Sequence, residues 1–320
     1  MTIKITIIGM DALGQSLALA LKQSQTTSQL NIVGHDRKRE RMKEAKQAQV
    51  AHHIDWNLLN AVEEASLVII NEALHEIRET LEFIGPELQM NAVVTDTCHD
   101  KTQVLQWATD ILPNHVHFIA STPLVQTDTV NATLFKKQRY ALIPLASTPP
   151  AAVSLLSNAI HLIGAEPFFM DVTEHDSFMA AVVQLPMITG LALLNLATKG
   201  QAWREMAIMA NSTFHHATSL PSTDPKSLTA LLRYGSESVL ARLNALHEEL
   251  ETLQTLISKD DEGAALEAHL TTLMQAQKRW RNAQKQTSHN ENLVSQMDEI
   301  KEANTLMSLL FGGRRGRGKK

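Results

Sequence analysis

The residues best suited to chemistry begin at Gly9-Met10-Asp11-Ala12-Leu13-Gly14, which follows a short apolar β-branched run and opens a helical pattern. Strand, tight turn and helix N-terminus in that order are the setting of a dinucleotide-binding turn. Gly9 permits the bend and Gly14 permits close helix–strand packing, so Gly9, Met10, Ala12, Leu13 and Gly14 are the expected cofactor-binding positions. Asp36, at the end of the next apolar run, is the acid suited to bonding the ribose hydroxyls of NAD. Arg37, counted with the cofactor contacts, and Arg39 leave a 2′-phosphate and hence NADP open, while Asp36 itself favours NAD.

Asp11 departs from this pattern. The second glycine of such a turn lets the backbone approach the diphosphate with no Cβ in the way. A carboxylate stands there instead, and two unit charges about 5 Å apart at an effective dielectric of about 20 repel by about 3 kcal/mol, more than a hundredfold in affinity. Alternatively Asp11 swings outward and caps the helix at Ala12–Leu13, leaving a weakened but usable site.

The paired histidines invite a metal reading that their spacing does not support. His215-His216 are adjacent on a helical pattern, so their side chains point about 100° apart and cannot share one ion well. With His52-His53 and with His115 and His117 they read as substitutions or surface residues, and no metal is expected. Met179, Met187, Met206 and Met209 read as adaptable core filler. Cys98 is the single cysteine, which excludes an intrachain disulfide and a thiolate metal cage.

These residues need a scaffold, and the first half of the chain supplies one by alternation. Apolar runs at Ile3 to Ile8, Leu30 to Gly34, Leu67 to Ile70, Ala92 to Thr95, Val116 to Ile119, Tyr140 to Leu145 and Pro167 to Val172 are mostly separated by helical patterns. That predicts an α/β fold: a doubly wound, Rossmann-like parallel sheet domain over residues 1–172. Helical patterns then fill His175 to Lys199, Gln201 to Thr218, Lys226 to Ser258 and Asp261 to Gln284. Residues 173–288 are therefore an all-α helical domain, and 289–320 a C-terminal helix with a basic tail. Val239, Leu243, Leu246, Leu250, Leu253 and Ile257 step by fours and threes, an a/d seam that serves either its own domain or a homodimer.

The chain of 320 residues carries a net charge of −5, and the tail cations Arg314, Arg315, Arg317, Lys319 and Lys320 leave −10 on everything before them. The body should repel nucleic acid, while the tail is either a solubilising end or a contact for an anionic partner. Neither an N-terminal leader pattern nor an unbroken apolar run of about 18 residues is present, so a cytoplasmic protein with no membrane partner is expected.

Several short segments together resemble the prephenate/arogenate dehydrogenase family: Ile5-Thr-Ile-Ile-Gly-Met, Val33-Gly-His-Asp-Arg, Ala61-Val-Glu-Glu-Ala-Ser-Leu-Val-Ile-Ile, Glu76-Ile-Arg-Glu-Thr-Leu, Val94-Thr-Asp-Thr, Leu134-Phe135, and His175-Asp176 ahead of Leu185-Pro186. The resemblance spans about residues 3–285. It implies a nicotinamide-binding domain, a helical dimerisation domain and an active site between them. The implied reaction is oxidative decarboxylation of prephenate or arogenate with hydride passing to NAD(P), in tyrosine biosynthesis.

The family's catalytic positions are altered. A serine in an Asp-Thr-Ala-Ser-x-Lys segment corresponds to His99 in Asp96-Thr97-Cys98-His99-Asp100-Lys101, and a histidine in a Gly-Gly-His-Pro segment corresponds to Thr122 in Ala120-Ser121-Thr122-Pro123. His99 and Thr122 are thus the expected catalytic positions, with hydroxyl and imidazole exchanged. A His-Leu-Pro-His segment has become Gln184-Leu185-Pro186-Met187, and Phe-Arg-Asp-Ala-Thr-Arg has become Phe214-His215-His216-Ala217-Thr218-Ser219, with both arginines gone. Glu72-Ala73 replaces the Thr-Pro that follows the strand ending at Ile70. Two expectations follow: a family dehydrogenase with lost or altered activity on a small-molecule substrate, or a non-catalytic relative with a structural, regulatory or binding role.

Overall fold

The computed structural model describes residues 2–24, 29–220, 224–259 and 263–283; the expected C-terminal helix and basic tail lie outside them. The chain divides into two compact units, Met1–Arg242 and Leu243–Lys320.

Unit one is built on eight strands: β1 (Ile3–Ile8), β2 (Leu30–His35), β3 (His53–Ile54), β4 (Leu67–Ile70), β5 (Val93–Asp96), β6 (His117–Pro123), β7 (Arg139–Ile143) and β8 (Glu166–Phe169). They lie in the order β3-β2-β1-β4-β5-β6-β7-β8. The helices α1 (Ala12–Lys22), α2 (Arg39–Gln47), α3 (Leu58–Val62), α4 (Leu74–Ile84), α5 (Lys101–Ile111) and α6 (Pro150–Leu162) connect them. Every pairing from β3 to β6 is parallel, as the strand–helix alternation predicts. The β6–β7 pair is antiparallel, which departs from an all-parallel sheet. Residues 124–138 run as turns and coil, and without a crossover helix the chain returns beside the strand it has just left.

The strands are continuous apolar runs because both faces of the sheet are covered. Alternation sorts them. Ile5, Ile7 and Ile69 join the core under α1 and α6 with Leu17, Phe135 and Leu156, whereas Ile8, Val68 and Ile70 join the other with Ile77, Leu81, Val104 and Trp107. Strand order reverses between β1 and β4, which opens a crevice beyond their carboxyl ends.

Beyond the sheet, α7 (Val172–Met179), one π-helical turn (Ala180–Gln184) and α8 (Leu185–Lys199) run continuously. That stretch is long and apolar enough to cross a membrane, although no unbroken apolar run marks it in the sequence. His175, Met179, Ala180, Gln184, Met187 and Gly190 along it are buried within unit one. The pattern predicted as one helix over Gln201 to Thr218 is two, α9 (Trp203–Met209) and α10 (Ser212–Ala217). Asn211 breaks it by accepting from the N–H groups of Thr213 and Phe214 as an N-cap. Likewise α11 (Pro225–Tyr234) ends at Gly235 before α12 (Ser236–Lys259) begins. Within unit two, Leu243, Leu246 and Leu253 of the a/d seam are half-buried while Leu250 and Ile257 are exposed. A further helix covers 264–283.

Candidate functional site

The crevice at the reversal point holds a cavity of about 420 Å³ lined by the loops after β1, β2, β4 and β5, the end of β6 and the start of α4 and α11. Gly9 bends the chain at φ +97°, and a Cβ on it would lie 1.9 Å from the Asn71 carbonyl oxygen. A Cβ on Gly14 would lie 1.9 Å from the Gly9 carbonyl oxygen. Both glycines are therefore dictated by backbone approach, as in a dinucleotide-binding turn. Asp36 closes β2, is 4% exposed, and accepts from the N–H groups of Met10 (2.7 Å) and Lys38 (2.6 Å). Arg41 reaches the same carboxylate at 3.5 Å.

Asp11 takes neither of the two extreme positions. It caps α1, but inward: Oδ1 accepts from the N–H groups of Leu13 (3.0 Å) and Gly14 (3.1 Å), one residue beyond the expected cap partners. The Asn71 amide donates to the same oxygen at 2.7 Å and also to the Gly9 carbonyl. An N-terminal helix turn attracts anions through its free N–H groups and the positive end of the helix dipole. In this chain a side-chain carboxylate already occupies those of Leu13 and Gly14.

Arg37, expected at the cofactor, is engaged elsewhere. Its guanidinium bridges Glu72 (2.9 Å) and Glu79 (2.5 Å) and donates to Thr80 Oγ1 (2.8 Å), which ties the loop after β2 to α4. Thr80 donates in turn to Glu72. Burial raises the Glu72 carboxyl above its usual range, against the opposing pull of Thr80 and Arg37. Glu72, just after β4, thus forms an internal brace.

The loop after β5 is fixed from below by a fully buried ion pair. Lys101 Nζ donates to Asp96 Oδ2 (2.5 Å) and to the Ser121 carbonyl (2.6 Å), both side chains being at 0% exposure. Thr97 donates to Asn71 Oδ1 at 2.8 Å, which joins this loop to the turn after β1. Cys98 contacts the Asp96 carboxylate, and burial with that charge pushes its thiol well above the usual value, so it stays protonated. His99 lines the cavity, yet its Nδ1 is buried with no hydrogen-bond partner among the described residues. Burial, with Lys101 and His175, lowers its pKa to about 4, so the ring is neutral at pH 7.

Thr122 is not among the residues lining the cavity with His99. It is fully buried, donates to the Cys98 carbonyl (2.9 Å) and lies 3.0 Å from Nε2 of His175. His175 Nδ1 lies 2.8 Å from Asp176, which also accepts from Lys101 N, Thr102 N and Thr102 Oγ1. Burial alone would raise the Asp176 carboxyl, but the hydrogen bonds from His175 and Thr102 outweigh it and hold it low. This chain of contacts fastens α7 to β6 and α5.

The structure therefore brings Gly9, Leu13, Asp36, Arg37 and His99 to one cavity, with Asp11 and Glu72, and leaves the side chains of Met10, Ala12 and Thr122 off its lining. Sequence reasoning missed Asn71 and the bracing role of Thr97. The only available signal was their position at the ends of apolar strands. His215 and His216 lie on α10, and no group of metal-holding residues exists among the described residues.

Residues 17–168 match the family model described as prephenate dehydrogenase, nucleotide-binding domain, and 171–276 the one described as prephenate dehydrogenase, dimerization domain. The chain is 25% identical over 270 residues to cyclohexadienyl dehydrogenase of Zymomonas mobilis, covering 82% of this chain and 91% of that protein. It is 23% identical to prephenate dehydrogenase of Bacillus subtilis, covering 80% and 71%. Among solved structures, prephenate dehydrogenase from Aquifex aeolicus in complex with hydroxyphenyl propionate and NAD+ superposes with TM-score 0.78 at 18% identity, covering 87% and 98%. Arogenate dehydrogenase from Synechocystis superposes with TM-score 0.68 at 23% identity, covering 88% and 99%.

Proposed function

We infer the function from a premise that the two family models establish: this chain belongs to the prephenate dehydrogenase family. Within it, we propose a member that no longer transfers hydride to a dinucleotide and serves as a non-catalytic binding or regulatory protein. The observation that carries this reading is the Asp11 carboxylate seated on the Leu13 and Gly14 N–H groups.

The residues present fit only part of NAD. Gly9 and Asp36 suit its adenosine half, and a nicotinamide would supply the hydride acceptor. The diphosphate does not fit, because its anion site is filled by a fixed negative charge and the second glycine is missing. The substrate side points the same way. A dianion such as prephenate needs cationic partners, yet His99 is neutral, Thr122 faces His175, and the segment Phe214–Ser219 carries no arginine.

The homodimer is part of the same proposal. Leu196 on α8 and Ile208 and Met209 on α9 are 72%, 85% and 83% exposed, so Met209, unlike the buried Met179 and Met187, is not core filler; a second copy would cover this apolar surface, in keeping with the dimerization-domain match. Light scattering is expected to give twice the mass of one chain, and a monomer at micromolar concentration removes this element.

Calorimetric titration tests the central claim. Neither NAD nor NADP should give a binding heat at millimolar concentration, and no reduced cofactor should form with prephenate or arogenate. Micromolar NAD binding overturns the proposal. An altered dehydrogenase is favoured by one observation, the neutral His99 ring in the cavity lining. It requires turnover that His99→Ala abolishes.

A further inference from the structure

We propose that the cavity takes a nucleoside whose 5′ end carries no phosphate, with a neutral or positively charged group facing Asp11. The proposal rests on the reading that no dinucleotide is held, and it assigns that site a ligand class.

At the sugar end, the recognition group is intact. Asp36 lines the cavity, its carboxylate is fixed by the N–H groups of Met10 and Lys38, and Arg41 adds one long contact. A carboxylate offers about four acceptor sites, so capacity remains for a ribose hydroxyl. Gly9 keeps the backbone bend that admits a sugar beside β1. The cavity of about 420 Å³ lies within the usual range for small-molecule sites.

On the 5′ side, the electrostatics are reversed from those of a phosphate site. The Asp11 carboxylate is held by three uncharged donors, Leu13 N, Gly14 N and Asn71 Nδ2, so no cation cancels its charge there. Glu72, Asp100 and Asp224 line the same cavity. Of the cations in the lining, Arg37 is bound to Glu72 and Glu79 and Arg41 points to Asp36, while Lys38 lies next to Asp36 in sequence, at the ribose end, rather than among the donors that hold Asp11. An anion entering beside Asp11 meets a like charge, whereas an ammonium or sulfonium group meets a fixed counter-ion. His99 adds to the same lining a ring that is neutral at pH 7 and so supplies no cation.

The test is a charge series at one atom. The full chain is titrated calorimetrically with 5′-amino-5′-deoxyadenosine, adenosine, AMP, ADP and NAD at one salt concentration. Affinity should fall in that order, the amino nucleoside binding at least about tenfold tighter than AMP. Asp11→Asn keeps a capping oxygen and removes the charge, and should compress the series to within about threefold. The wild-type order decides alone if that variant does not fold. No binding of any nucleoside, with NAD also failing, overturns this inference and leaves the non-catalytic reading standing. AMP or NAD binding more tightly than adenosine overturns both, and adenosine binding with no dependence on 5′ charge overturns the ligand class.

Discussion

The turn after β1 and the loop after β5 stand at the same end of the sheet and are built in the same way. Each keeps the residues whose partners lie inside the protein. Gly9 and Gly14 are demanded by backbone approach, and Asp96 and Lys101 by each other. Each also carries a residue that departs from the expected pattern: Asp11 where a dinucleotide turn would have a glycine, and His99 at the position that the family resemblance assigns to a serine. Packing and internal ion pairs are enforced by stability whether or not a reaction occurs, while ligand-facing groups are enforced only by the ligand.

The comparison can be broken by stability measurements, and the largest effect is expected at the β5 loop. Lys101→Ala leaves Asp96 buried and uncompensated, which should cost about 3–5 kcal/mol in denaturant unfolding. A loss under about 1 kcal/mol would show that the pair is not what holds the loop. His99 should show the reverse character, a cost without an internal partner. Its folded pKa of about 4 lies below the ordinary 6.5, so as pH falls through that window the unfolded state takes up the proton first. Stability should therefore be full above about pH 6.5 and decline toward pH 4 by up to about 3 kcal/mol. His99→Asn should remove that part of the slope, and unchanged pH dependence in the variant would refute the neutral buried ring. The smallest effect sharpens the picture of the β1 turn. Asp11→Ala loses the cap and should cost about 1 kcal/mol, whereas Asp11→Asn should stay within a few tenths. Equal losses in the two variants would mean that charge, not the capping oxygen, stabilises α1.

Much of the scaffold was legible because apolar β-branched runs of four to six residues leave little choice, and the acid ending β2 follows from the same rhythm. The two-residue β3 carried too little pattern to register, and the antiparallel β7 depended on a helix that residues 124–138 do not form. In the site, the positions were legible and the connections were not. Asn71 joins Gly9 and Asp11 to Thr97 across about sixty and twenty-six positions of sequence, a role that an asparagine after a strand does not announce. Arg37 illustrates the converse. Its place beside Asp36 marked it for a cofactor, but Glu72 after β4 and Glu79 on α4 hold it.

The carboxylate on the first turn of α1 also bears on the ancestry of the site. Aspartate and glycine codons differ at one base, so a single transition at codon 11 yields the uninterrupted three-glycine turn, on a scaffold whose other two glycines need no adjustment. A library restricted to that codon, screened for retention on an immobilised nicotinamide dinucleotide, would show how much the residue at position 11 alone decides about holding a dinucleotide.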